Sequence, residues 1–311
     1  MITADPFNRF ENKGQPKPIA KTTIVEAYGL RKCPKLVEQI SGDNLEVRNN
    51  ALSVLCDEFQ NPYSIEGTVR AGVVPVIANM VSDADFTTRV RVTKALALAA
   101  TDANGVNAIL QSDAIASILI GVRDPSEEVR KNVYHCMTAV VRLNTGVAAS
   151  VAMGAVQVFV KVLSDEHDVL KPGILKTIMK MVCCEEGLLA AINSDAVSVL
   201  INLLAKSMSN SALEGPNASY SEYENQIIIE SSKALAMLCF DGRAKEVALE
   251  KGAIVEIVGI LKMKTVESDV KAAITAAIMA ITITDAGKVV SIPIHINLLT
   301  PYTPYNPLYT L

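Results

Sequence analysis

Apolar residues recur along this chain at the spacing of helices. Val129, Val133, Cys136, Met137, Val140 and Val141 follow the i, i+3, i+4 pattern of one helix face. Comparable long stretches are LEVRNNALSVLCDEF, TTRVRVTKALALAAT, HDVLKPGILKTIMKMV, NQIIIESSKALAMLC and SDVKAAITAAIMAI. A second segment recurs five times: GVVPVIANMV from Gly72, DAIASILIGV from Asp113, GAVQVFVKVL from Gly154, DAVSVLINLL from Asp195 and GAIVEIVGIL from Gly252. Each copy is led by a short helical stretch, such as NGVNAILQSD or RAKEVALEKGA, and followed by one of the long stretches. Glycine at the junction permits the positive φ of a tight turn between helices.

The copies start at intervals of 41, 41, 41 and 57 residues. The longer interval contains the polar tract SMSNSALEGPNASYSEYE, whose Ser, Asn, Gly and Pro content predicts a loop insertion at about 207–224. A short, a medium and a long helix per period resembles the layout of armadillo repeats. The expected fold is all-α: a right-handed armadillo-type α-solenoid of about six three-helix repeats over residues 23–285, the first repeat lacking its short helix. One repeat cannot bury its own stripes, so each must stack on its neighbours. A globular bundle with accidental self-similarity gives no reason for equal spacing. Asp43 with Glu46, and Asp124 with Glu127, stand at capping-box spacing, with Pro125 suited to a first helical position. Pro172 and Gly173 fall where the fourth long helix should begin, so Pro172 is expected in its first turn, with a kink or a late start.

Composition then narrows the class of function. Half of the 311 residues are apolar, only 5% are aromatic and none is Trp, so Ala, Val, Ile and Leu must build the core. A net charge of −4 gives no global footprint for nucleic acid or an anionic membrane. Six cysteines without zinc-ligand spacing read as reduced core residues. Met1 to Phe10 lacks a cationic start followed by an apolar run, and no 18-residue stretch is uninterruptedly apolar, so a soluble intracellular protein is expected. Residues 1–22, with Pro6, Pro16 and Pro18 among Lys13, Lys17 and Lys21, read as an extended basic arm. Residues 286–311 read as an extended tail in which Pro301, Pro304 and Pro307, and the candidate binding residues Tyr302 and Tyr305, keep the period of polyproline II.

Chemical motifs are sparse. No Walker loop, G-x-S-x-G, H-E-x-x-H or G-x-G-x-x-G occurs, and three histidines offer few groups for acid and base work. The expectation is a non-enzyme without cofactor or metal. His135 falls on the third long helix, on or near the face expected to line the concave surface. Lys161, Lys171, Lys176 and Lys180 cluster in sequence as a candidate basic spot on that inner face, suited to an acidic segment of a partner such as a glutamate-rich tubulin tail. A merely solvated face accounts for these lysines equally well. Cys183 and Cys184 close the fourth long helix, where burial of at least one is expected. Armadillo proteins that carry nuclear import cargo hold extended peptides with a ladder of Trp and Asn. The corresponding positions fall near Ser53 and Asp57, Leu96 and Ala100, His135 and Ala139, Ala236 and Phe240, and Ala276 and Ala280. Without Trp that ladder is missing.

The N-terminal third carries a more specific signal. Ala27, Tyr28 and Gly29, then Ala51, Leu52, Leu55, Cys56 and Asp57, and then Pro62, resemble the armadillo-repeat proteins of ciliary radial spokes. In that family an Ala-Tyr-Gly segment opens the array, and an Ala-Leu-x-x-Leu-Cys-Asp stretch ends the first long helix shortly before a Pro. The resemblance implies a structural subunit of the radial spoke, located in the cytoskeleton of the ciliary axoneme. Its partners would be other spoke subunits or axonemal proteins in a hetero-oligomeric assembly, with no nucleic acid and no membrane. The competing reading is a cytoplasmic armadillo adaptor in cytoskeletal, trafficking or folding assemblies outside cilia.

Overall fold

The computed structural model describes residues 31–214, 221–261 and 267–283. Among them are seventeen α-helices and no strand. The expected arm at 1–22, the tail at 286–311 with Tyr302 and Tyr305, and the outer limits of the array at 23 and 285 lie outside the described residues.

The helices fall into six successive groups. The first has a medium helix α1 (Lys32–Ile40) and a long helix α2 (Leu45–Glu58). The others each have a short, a medium and a long helix: α3 (Pro62–Arg70), α4 (Val73–Ala78) and α5 (Phe86–Ala99); α6 (Ala103–Gln111), α7 (Ala114–Ile120) and α8 (Glu127–Val140); α9 (Asn144–Ala152), α10 (Ala155–Leu163) and α11 (Lys171–Met181); α12 (Glu185–Asn193), α13 (Ala196–Glu214) and α14 (Glu222–Leu238); α15 (Gly242–Glu250), α16 (Ala253–Leu261) and α17 (Ser268–Thr282). Like packs on like. The long helices α2, α5, α8, α11, α14 and α17 touch in that order, and the medium helices pair as α4 with α7, α10 with α13 and α13 with α16. One continuous core of Ala, Val, Ile and Leu side chains runs from Leu36 to Ile281 between the long-helix layer and the rest.

Local chemistry explains the repetition. All five junctions between a short and a medium helix turn through a left-handed residue: Gly72, Asp113, Gly154, Asp195 and Gly252, with φ between 51° and 81°. Gly146 meets a different demand. A Cβ there would lie 2.1 Å from the Val140 carbonyl oxygen, so the short helix α9 rests directly on the C-terminal end of α8.

Several expected details change. Asn44, not Asp43, caps α2 by accepting the amides of Glu46 and Val47. Pro125 lies before α8, whose N-cap Ser126 makes no side-chain cap, while the Asp124 carboxylate is held by Arg89 and by the Ser126 amide. A true capping box occurs where Ser221 and Glu224 start α14. Pro172 does sit in the first turn of α11, and α11 starts late: α2, α5 and α8 begin 41 residues apart, whereas α11 begins at Lys171. The expected loop at 207–224 is helical through Glu214 and again from Glu222. Extending an existing helix needs no new nucleus, and Ser or Asn costs only about 0.5 kcal/mol against Ala, so the polar tract prolongs α13 up to the Gly215–Pro216 step.

Candidate protein-binding surface

Polar bonds tie four of the six repeats to the next at one recurring position, the fourth residue of the long helix. Arg48 pairs with Asp83 (3.3 Å), Arg89 with Asp124 (2.7 Å) and Arg130 with Glu166 (2.8 Å). Each arginine also donates to carbonyls of the loop before its own helix, to Gly42, to Asp83 and Ala84, and to Asp124 and Pro125 respectively. The guanidinium therefore grips two loops at once. In α14 the shorter Asn225 makes, among the described residues, only the forward bond, donating to Glu267 at 2.9 Å.

The third clamp is the most enclosed. Glu166 accepts from both Arg130 nitrogens at 2.8 and 2.9 Å, from the Tyr134 hydroxyl at 2.7 Å and from the His167 amide at 2.8 Å. Burial pushes the carboxyl up, but these donors outweigh it and hold it below the usual glutamate range. The same pairing raises Arg130, and burial raises Tyr134, whose ring meets Phe159 edge-on at 5.9 Å.

The open side of the long-helix layer has a different character. Lys94 on α5, His135 on α8, Lys176 on α11 and Lys233 on α14 are all exposed, each five residues before the last residue of its helix. Lys131 and Lys180 are exposed one turn away on α8 and α11. Partial desolvation and then the neighbouring Lys131 hold the His135 imidazole below its usual value.

The residues singled out from sequence do not form one site. Lys176 and Lys180 share the open face of α11. Lys171 does not reach that face. It is buried to 1% exposure and bonded to Asp168 at 2.6 Å; it lies 41 residues after Arg130 and so keeps the arginine register, although the late start of α11 makes it the first residue of its helix. Lys161 lies on α10, beside a separate cleft of about 400 Å³ with Arg123, Asp124, Arg130 and Glu166. Lys94 and Lys233 were not evident from clustering; the signal that finds them is the period itself, since 94, 135 and 176 are 41 apart. Leu96 and Ala100, near which the positions of the import-receptor ladder fall, are buried. α11 ends at Met181; Cys183 is exposed and Cys184 half-buried, so neither is a core residue. Both flank a cleft of about 430 Å³ whose apolar lining comes from Val147, Ala148, Val151 and Ala152. By contrast, burial pushes the Cys56, Cys136 and Cys239 thiols up to about 11, 12 and 12.

No protein-family model matches the chain. Solved structures do. A computationally designed armadillo repeat protein for modular peptide recognition superposes with a TM-score of 0.68 at 20% identity, covering 80% of this chain and 99% of that one. The fold is the armadillo solenoid. A designed armadillo repeat protein in complex with the peptide (KR)4 gives a TM-score of 0.67 at 20% identity, covering 80% of this chain and 99% of its own. Among sequences, Radial spoke protein 14 of Chlamydomonas reinhardtii is 28% identical over 147 residues, 47% of this chain. That match spans 38% of the relative's length. Among the described residues of the armadillo array, no single helix is long and apolar enough to cross a membrane.

Proposed function

We propose that this armadillo solenoid is a non-catalytic scaffold that binds proteins, and that its assembly is the radial spoke of the ciliary axoneme. The observation that carries the scaffold reading is the clamped stack of long helices, which offers an open charged face. Stacked repeats of this kind present a long surface to several neighbours at once. The spoke reading is supported by the 28% identity to Radial spoke protein 14 and by the short N-terminal motifs. Its partners are then other spoke or axonemal subunits, and its place is the cytoskeleton of the cilium.

Extraction tests this. After detergent removal of ciliary membranes, the protein should remain with the axonemal pellet and should be lost from axonemes that lack spokes. Recovery in the soluble fraction, or unchanged amounts in spoke-deficient axonemes, would instead assign it to a cytoplasmic adaptor outside the spoke.

A further inference from the structure

The basic residues of the open face form a strip with definite limits. Lys94, His135, Lys176 and Lys233 occupy one register on α5, α8, α11 and α14, which pack side by side. From the second turn of these four helices onward, every exposed ionisable side chain is basic: Lys94, Lys131, His135, Lys176, Lys180 and Lys233. Glu230, the one carboxylate in those turns, is buried beneath Lys233 at 3.4 Å. Exposed acids Glu127, Glu128 and Glu222 stand at the N-terminal edge of these helices, and Glu186, just past α11, shares a cleft with Lys180. In α2 the equivalent residue is Ser53, so the strip ends there. The whole chain carries −4, so this concentration of positive charge is not a background property.

We propose that the strip docks an extended acidic segment of a partner protein, about ten residues long, with Asp or Glu at every second or third position. This rests on the scaffold reading above and gives that scaffold a ligand class. Packed helix axes lie about 8–10 Å apart, and an extended chain advances about 3.3 Å per residue, so successive long helices meet every second or third residue of such a segment. Lysine ammonium groups are point charges on flexible stems, which attract carboxylates without fixing one bidentate geometry. Lys94, Lys131, Lys176 and Lys180 make no ion pair among the described residues, so a partner's carboxylates need not displace an internal one.

Fluorescence anisotropy of the purified full chain with fluorescein-labelled decaglutamate tests the idea, with decaglutamine as the uncharged reference. Decaglutamate should bind and decaglutamine should not. Each exposed pair lost should weaken binding by up to about fivefold, and the double reversal K94E/K176E by about tenfold or more. The neutral pair K94Q/K176Q guards against misfolding and should lose affinity while melting like the parent. K206E/K251E reverses two exposed lysines off the strip and should leave affinity unchanged. Peptides with Glu at every second or third residue should outbind peptides with the same four Glu in one block. The inference is overturned if decaglutamate fails to bind, if the off-strip pair weakens binding as much as the strip pair, or if polyphosphate of equal charge competes as well as the peptide. None of these results touches axonemal extraction, so failure here and failure of the spoke reading are separately visible.

Discussion

Glu166 shows how one residue can serve two repeats. Four donors from Arg130, Tyr134 and His167 converge on it, and its side chain is 4% exposed. Removing one partner of a buried ion pair costs about 3–5 kcal/mol, because the other charge stays desolvated. Arg130→Ala should therefore lower stability by about 3 kcal/mol in urea titration, whereas Arg70→Ala, whose partner Glu66 is half exposed, should cost under about 1 kcal/mol. The pH dependence follows from the depressed carboxyl. Its stabilisation is fully present above the ordinary glutamate value of about 4.3 and is lost as pH falls through the lower folded value. Glu166→Gln should flatten the acid limb of a stability profile, and an unchanged limb would contradict this assignment. At Asp113 the backbone holds φ of 51°, which glycine tolerates better, so Asp113→Gly should raise stability by up to about 1 kcal/mol by thermal melting.

At the scale of helices, close approach sets the tolerances. Gly146→Ala would drive a Cβ into the Val140 carbonyl, and overpacking of this kind costs about 1–3 kcal/mol, read from chemical denaturation. The existence and order of the helices were legible in the sequence because apolar period and junction residues agreed at all five three-helix repeats, as at Gly154 and Asp195. The caps were less legible. Asp43 and Asp124 have the residue type of a cap, but neighbouring Asn44 takes the first role and inter-repeat pairing with Arg89 claims the second. The polar tract after Ser207 misled for a related reason: Ser and Asn favour loops when they begin an element and not when they prolong one. On α8, His135 titrates below its usual range near pH 6.5, facing Lys131 on its own helix and flanked by Lys94 and Lys176. Decaglutamate affinity should therefore rise as pH drops from about 7.5 to 5.5, and His135→Gln should remove that rise.

For the molecule as a whole, the period carries more information than any cluster. Reading lysines by proximity in sequence joined Lys161 and Lys171 to the open face, although one borders another cleft and the other is buried. Reading them by 41-residue register finds Lys94. Charge on an exposed strip is screened over about 10 Å at 0.1 M salt, so peptide binding should weaken steeply with ionic strength while folding stability changes little.

Lysine rather than arginine at the 41-residue register, at position 171, bears on mechanics. Arg48, Arg89 and Arg130 each reach forward into the following unit, but Lys171 turns back to Asp168 within its own. Among the described residues, the relay of forward grips is thus interrupted at the boundary between α11 and α14, although those two helices still pack on each other. Tension applied along the rod should part it there first, and single-molecule stretching should release the last two units before the first four.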